Sequence, residues 1–187
     1  DWLRGLITGG LPKVGRIGLV YFASGQGKVL TEMTATRLGD DEFLLMTGAG
    51  AYWHDRDLLT FRLPVDGSIS ISDVTAEMAT LLVTGPKAPA LMADLTAAAM
   101  DHDSFPWLTY RRMQIAGFDV TAIRVSFAGE AGWELHCDMD DVARLYDAVW
   151  AAGEAHQIAN FGMLALDSMR LENCLLYTSP SPRDIGE

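Results

Sequence analysis

Cysteine, basic side chains and long apolar runs are all scarce in this sequence of 187 residues. With only two cysteines, Cys137 and Cys174, it has neither a disulfide framework nor a Cys-x-x-Cys zinc pattern, which fits a reducing compartment. No apolar run approaches the about 20 residues needed to span a bilayer. Acidic residues outnumber basic ones by 25 to 14, and the net charge is −11 without a basic cluster. We therefore expect neither nucleic acid nor a membrane surface as a partner.

Nucleotide and metal motifs are also missing. Residues 25–28 lack the first glycine and the final hydroxyl residue of a phosphate loop, and residues 48–50 are followed by Trp53 where a dinucleotide fingerprint needs glycine. His54 and Asp55 are interpreted as surface polar groups, because no second cluster lies at ligand spacing. The sequence predicts no metal, flavin or nicotinamide site within this chain.

The local patterns predict an α+β fold with mixed, largely antiparallel sheets and packed helices. Hydrophobic residues make up 49% and charged residues 21%, values typical of a globular segment, and the length suggests one domain. Alternating apolar runs between turn residues predict strands at 17–22, 28–38, 42–47, 68–74, 78–84, 110–115, 118–127 and around 133. Helices are predicted at 51–63, 85–95, 140–152 and 162–172.

The most informative segment is RVSFAGEAGWELH, residues 124–136. Its two glycines predict a strand, a tight turn and a second strand. Trp133 and Leu135 then lie on one face of the second strand, with Glu134 and His136 on the other. A carboxylate beside aromatic surface suits a flat heterocycle with adjacent N–H donors, because both oxygens can accept hydrogen bonds. The alternative is a hairpin on which Glu130 and Glu134 are merely solvated.

This segment resembles the R-[IV]-S-[YF]-x-G-E-x-G-[WY]-E-L signature of the aminomethyltransferase family. That family comprises the glycine-cleavage T-protein and the folate-binding domain of dimethylglycine and sarcosine dehydrogenases. Four more runs match it in register: LPKVGRIG (11–18), GKVLTEMT (27–34), EFLLMTGAG (42–50) and FGMLALDSMRLE (161–172). The first of these runs, and NFG at 160–162, resemble the dehydrogenase branch. T-proteins often have arginine where this chain has Leu166.

The resemblance implies a tetrahydrofolate site. Glu32 occupies the position of the catalytic aspartate of T-proteins, where some dehydrogenase relatives also have glutamate, and Glu134 that of the carboxylate which anchors the pterin ring. The implied apolar or aromatic walls are Leu19, Met46, Trp107 and Phe127. Phe127 replaces the commoner tyrosine, so a hydroxyl contact is lost. On pattern alone, the walls other than Trp107 would be core residues and Glu32 a polar residue on an amphipathic strand.

The implied reaction is capture of a methylene or iminium unit from dimethylglycine or sarcosine as 5,10-methylenetetrahydrofolate. In such proteins a flavin domain oxidises the N-methyl amine, so FAD would belong to a part of the parent protein outside this chain. Folate and a methylated amine are the expected small-molecule partners, and the chain alone is expected to be inactive. A stand-alone glycine-cleavage aminomethyltransferase and a non-catalytic folate-binding module stay open as alternatives. The implied compartment is the cytoplasm in a bacterium and the mitochondrial matrix in a eukaryote.

The end of the chain differs in character. CLLYTSPSPRD, residues 174–184, resembles one translated frame of a transposon-type sequencing-library adapter. We therefore expect residues 1–173 to be a partial domain, truncated at both ends, and residues 174–187 to be a non-native tail. A natural Ser/Pro-rich tail is the alternative.

Overall fold

The computed structural model describes residues 2–175, which divide into two compact units. The first unit runs to Thr75 and includes Leu108–Tyr110, while the second contains Ala76–Trp107 and the chain from Arg111 onward. Apart from Cys174 and Leu175, the predicted tail lies outside the described residues. No helix among the described residues is both long and apolar enough to cross a membrane.

The first unit is built on a four-stranded antiparallel sheet with the order β1-β2-β3-β4. Its strands are Ile7–Thr8 (β1), Ile17–Ala23 (β2), Val29–Arg37 (β3) and Phe43–Met46 (β4). A turn at residues 24–27 joins β2 to β3, and Gly27 adopts a φ of +76° there, a conformation that glycine tolerates best. The strands predicted at 17–22, 28–38 and 42–47 are confirmed.

One face of this sheet carries the core of the first unit. Side chains from β2 and β3 pack there against helix α2 (Tyr52–Thr60) and the short helix α1 (Trp2–Leu6). The buried members are Leu3, Ile7, Val20, Phe22, Met33, Ala35, Leu58 and Leu59. Because strand side chains alternate between faces, this core fixes which residues of β2 and β3 point away from it.

The second unit contains a four-stranded sheet with the order β5-β8-β7-β6. Its strands are Met78–Thr84 (β5), Tyr110–Ile115 (β6), Phe118–Ile123 (β7) and Gly132–Asp138 (β8). Its helices are Ala88–Leu95 (α3), Val142–Gly153 (α4) and Met163–Glu172 (α5). Central strand β8 pairs antiparallel with β5 and β7, so the predicted α+β class with largely antiparallel sheets is confirmed.

An apolar cluster forms the core of the described part of the second unit. Trp133 and Leu135 of β8 have no exposed surface and pack with Leu145 and Val149 of α4. The helix predicted at 140–152 is thus confirmed, with Leu145 and Val149 on its buried face, whereas Tyr146 is 36% exposed and stacks on Trp150.

Three sequence predictions of local structure are wrong. Residues 68–74 form no strand; they run as coil between two turns in which Asp66 and Asp73 accept hydrogen bonds from backbone N–H groups two residues later. Helix α3 begins at Ala88, not at 85, because Gly85 adopts a φ of +130° that a helix cannot contain. Strand β7 ends at Ile123, four residues before the predicted end.

The turn between β7 and β8 depends on Gly129. This residue has a φ of +85°, and a Cβ built on it would lie 2.9 Å from the Cβ of Asn173. We expect Gly129→Ala to lower the free energy of unfolding by about 1–3 kcal/mol, since left-handed backbone and steric overlap both penalise alanine. Denaturant unfolding measures this, with Gly25→Ala as the control because open space surrounds Gly25. Equal stability of the two variants would contradict the expectation.

The two cysteines differ in environment. Cys137 is buried in β8, and burial raises the pKa of its thiol, with smaller contributions from Asp141 and Asp138, whereas Cys174 is exposed. Since the thiolate is the reactive form, we expect an alkylating reagent to label Cys174 well before Cys137. Mass spectrometry of partially labelled protein measures the order, and urea-unfolded protein serves as the control in which both react. Equal labelling in the folded protein would show that β8 opens readily.

Candidate functional site

The face of the first sheet that points away from the core carries three of the six predicted site residues. Leu19 of β2 lies opposite Thr34 of β3, and Thr34 lies opposite Met46 of β4, so these three side chains form a row across one face. In the next row, Tyr21 lies opposite Glu32. We call this surface, made of Leu19, Tyr21, Glu32, Thr34 and Met46, the outer face.

The outer face is open and mixes large apolar or aromatic side chains with one carboxylate and one threonine hydroxyl. Leu19 is 53% exposed and Tyr21 is 37% exposed, and Glu32 opposite Tyr21 is also exposed. Leu19 is therefore not a core residue, which removes the alternative interpretation of that position. Large exposed side chains arranged around one carboxylate are typical of a surface that covers a ligand.

The opposite side of the first sheet holds a buried carboxylate that the sequence interpretation misplaced. Asp55 is 1% exposed, not a surface group, and it lies in the first turn of α2. It accepts hydrogen bonds from the hydroxyls of Thr31, at 3.0 Å, and Thr47, and its other oxygen lies 2.8 Å from Nδ1 of His54. These contacts tie α2 to the sheet, so Asp55 is structural. Periodicity gave no signal for this, because the hydroxyl partners are distant in sequence.

Glu134 lies on β8, on the face opposite the buried Trp133 and Leu135, as predicted. Its side chain is 31% exposed, and Oε2 lies 3.2 Å from Nε2 of His136. The other ring nitrogen of His136, Nδ1, lies 2.8 Å from the hydroxyl oxygen of Thr80 on β5. His136 itself is 4% exposed. We refer to Glu134, His136 and Thr80 as the β8 polar chain.

The sequence placed His136 on the face of Glu134 but assigned it no role, and it did not identify Thr80. The strand register accounts for the contact, because Thr80 pairs directly with His136 in the β5–β8 ladder. Alternation within one strand shows which residues share a face, whereas the identity of the cross-strand neighbour depends on a pairing that only the fold supplies.

Phe127 lies in the connection between β7 and β8. It is 47% exposed, so it too is not a core residue. The guanidinium of Arg170, on α5, lies 3.6 Å from the centre of its ring and donates a hydrogen bond of 2.6 Å to its carbonyl oxygen. Because Arg170 is buried, this contact holds one face of the Phe127 ring in place.

Trp107 lies in the loop before β6 and is 42% exposed. The preceding part of that loop is held to β8 by Arg124. Its guanidinium donates to the carbonyl oxygens of Asp101, at 3.1 Å, and Phe105, at 2.5 Å, and lies over the Trp133 ring at 5.2 Å.

Three of the six predicted site residues therefore lie in each unit. The outer face brings Leu19, Glu32 and Met46 together in the first unit. In the second unit Glu134 lies on β8, while Phe127 and Trp107 lie in two separate loops.

Two cavities of about 550 and 1050 Å³ occur in the described part of the chain. Neither is lined by any of the six predicted site residues. The larger lies between α2 and residues 68–75, on the side of Asp55, and the smaller lies along β5 and α4. The outer face and Glu134 are accessible surfaces outside these two cavities. Within residues 2–175, no group of three His, Cys, Asp or Glu side chains is arranged to hold a metal ion.

Known proteins are similar to this chain over most of its length. The family model described as the GCVT N-terminal domain matches residues 1–180. Human mitochondrial dimethylglycine dehydrogenase is 36% identical over 163 residues, which are 87% of this chain and 19% of the human protein. The aminomethyltransferase of Geobacillus kaustophilus (strain HTA426) is 28% identical over 196 residues, which are 99% of this chain and 52% of that protein.

A solved structure supports the fold. The glycine cleavage system aminomethyltransferase T from Bartonella henselae has a TM-score of 0.68 and 24% identity, with 87% of this chain and 42% of that chain covered. The chain spans about half the length, or less, of the curated relatives it matches.

Proposed function

The chain belongs to the family of the GCVT N-terminal domain, and on that premise we propose that it is a tetrahydrofolate-binding domain for one-carbon transfer. In this proposal it captures the methylene unit of an oxidised N-methyl amine, dimethylglycine or sarcosine, as 5,10-methylenetetrahydrofolate. The observation that carries the proposal is the outer face, on which exposed Leu19 and Tyr21 adjoin the carboxylate of Glu32.

Glu134 is proposed to bind the pterin ring. Each oxygen of a carboxylate has two lone pairs, so Oε2 can accept from His136 and still accept from a ligand. The pterin presents an amino group and a ring N–H side by side, and a carboxylate can accept from both at once. The 31% exposure of the Glu134 side chain leaves it accessible for this contact.

Glu32 is proposed to act in the transfer step. Formation of the methylene bridge removes one proton from each of two folate nitrogens. One of these two protons leaves with the departing amine. Glu32 would accept the remaining proton or orient the reactive amine that loses it. Glu32 lies on the outer face beside Leu19 and Tyr21. This position is compatible with a bound ligand covering the carboxylate during that step.

The dehydrogenase-type reaction is preferred because the identity to dimethylglycine dehydrogenase is 36%, against 28% to the aminomethyltransferase. FAD would then be held by another part of the protein, and the compartment would follow that of the relatives, which include mitochondrial enzymes. The match to an aminomethyltransferase over 99% of this chain supports a second candidate, release of ammonia from an aminomethyl group on a lipoyl carrier.

The products of the full-length protein distinguish these candidates. With dimethylglycine and tetrahydrofolate, the proposal predicts 5,10-methylenetetrahydrofolate, and without tetrahydrofolate it predicts free formaldehyde from hydrolysis of the iminium. Ammonia release from an aminomethylated lipoyl carrier, without turnover of dimethylglycine, would select the second candidate. Folate binding without either reaction would identify a non-catalytic module.

A further inference from the structure

The β8 polar chain is built around a buried histidine whose two ring nitrogens both have partners. Nε2 of His136 faces Oε2 of Glu134 at 3.2 Å, and Nδ1 faces the Thr80 hydroxyl at 2.8 Å. The His136 side chain is 2% exposed, so water has little access to the ring itself. Glu134, at 31%, is the only member of the three that combines a charge with access to a ligand.

The partners assign the ring proton. An ionised carboxylate can only accept, so Nε2 must carry the hydrogen that faces Glu134. In the neutral ring Nδ1 is then an acceptor, and the Thr80 hydroxyl can donate to it. The hydrogen bonds of the β8 polar chain are therefore donated in one direction: the Thr80 hydroxyl donates to the His136 ring, and the ring donates to the Glu134 carboxylate.

We propose that His136 is a positioning residue for Glu134, holding the carboxylate in the orientation in which it accepts from the pterin. This inference rests on the proposed function of Glu134. A free glutamate side chain loses rotational freedom when a ligand fixes it, and that loss weakens binding. A glutamate already held by His136 loses less, so its ligand binds more tightly. Thr80 in turn can donate to Nδ1 in the tautomer whose Nε2 donates to Glu134.

Two amide substitutions test the contacts of the two ring nitrogens of His136 separately. In His136→Gln the amide nitrogen reaches the place of Nε2 and can still donate to Glu134. In His136→Asn the shorter amide reaches only the place of Nδ1, near Thr80. Both replacements are neutral and polar, so they are matched for the cost of burying a polar group.

Equilibrium titration of the full-length protein with tetrahydrofolate is the test. We expect His136→Asn to weaken binding roughly tenfold, the effect of losing one hydrogen bond to a charged group, and His136→Gln to stay within about threefold of the original. Combined with Glu134→Gln, His136→Asn should have no further effect, because it acts through that carboxylate. Equal losses in the Asn and Gln variants would show that His136 only packs, and would overturn the inference.

The two possible failures are distinguishable. If Glu134→Gln leaves folate binding unchanged, the proposed function of Glu134 fails. If Glu134→Gln weakens binding but His136→Asn does not, only the positioning role fails.

A measurement on the unmodified ring covers the case in which His136→Asn does not fold. In ¹⁵N spectra, His136 should show a protonated Nε2 and an unprotonated Nδ1. The Nε2 resonance should shift on saturation with tetrahydrofolate in the wild type and not in Glu134→Gln. The opposite tautomer, or no shift in the wild type, would overturn the inference.

Discussion

Replacing Glu134 with glutamine is expected to weaken tetrahydrofolate binding by roughly tenfold to a hundredfold in the full-length protein. The substitution preserves shape but presents an NH₂ donor where the ligand also presents a donor, so one hydrogen bond is lost and like dipoles oppose each other. Losing a hydrogen bond to a charged group typically costs about 1.5–3 kcal/mol, which corresponds to that range of affinity. Equilibrium titration of the wild type and variant measures the ratio of dissociation constants.

Glu130→Gln is the matched control. Glu130 lies four residues before Glu134, in the connection between β7 and β8, is partly buried, and accepts a 3.2 Å hydrogen bond from Asn173. The same change of charge and shape there should leave folate affinity within about twofold, because Glu130 is paired with Asn173 and has no proposed contact with the pterin. Equal weakening by both variants would indicate a general charge effect, and the pterin-anchoring role of Glu134 would then be wrong.

Replacing Glu32 with glutamine is expected to slow methylene transfer by about 10²–10⁴, with folate affinity within a few-fold of the wild type. Glutamine keeps the size of the side chain but cannot accept a proton at neutral pH. Single-turnover measurements with saturating tetrahydrofolate isolate the transfer step from binding.

Glu32→Asp provides the complementary variant, because aspartate restores a carboxylate one methylene shorter. We expect Glu32→Asp to transfer methylene within about tenfold of the wild-type rate. The aspartate carboxylate can still accept a proton and is only displaced by the length of one methylene. If Glu32→Gln abolishes folate binding, or if Glu32→Asp is as slow as Glu32→Gln, then Glu32 does not act as the proton acceptor of the transfer step.

The hairpin around Glu134 shows what periodicity can predict. Alternation placed Trp133 and Leu135 on one face and Glu134 and His136 on the other, and the structure agrees, with the first pair fully buried. Alternation has this power because one turn and one buried face are enough to set the orientation of every side chain in a strand.

The outer face shows where periodicity stops. Strand β2 has apolar residues on both faces, with Val20 and Phe22 on one and Leu19 and Tyr21 on the other. The sequence shows which residues share a face but not which face the rest of the protein covers, so Leu19 could equally be a core residue. Only the position of α1 and α2 against Val20 and Phe22 decides that Leu19 is on the exposed face.

Long-range polar contacts could not be predicted from the sequence, for a different reason. Asp55 depends on hydroxyls of Thr31 and Thr47, and His136 depends on Thr80, which is 56 residues away. A buried polar group must find partners, but neither their number nor their identity follows from its own segment. The coil at 68–74 is a related case, since its Ser–Ile alternation favours a strand yet a strand also needs a neighbour to pair with.

Titration calorimetry of the full-length protein with tetrahydrofolate, in competition with p-aminobenzoylglutamate, tests the central claim most directly. The claim is that Glu134 makes this a pterin-binding domain. It predicts saturable binding of one tetrahydrofolate per chain, which p-aminobenzoylglutamate does not displace because it lacks a pterin ring. It also predicts a marked loss of that binding in Glu134→Gln. Absence of saturable binding in the wild type, or full displacement by p-aminobenzoylglutamate, would contradict it.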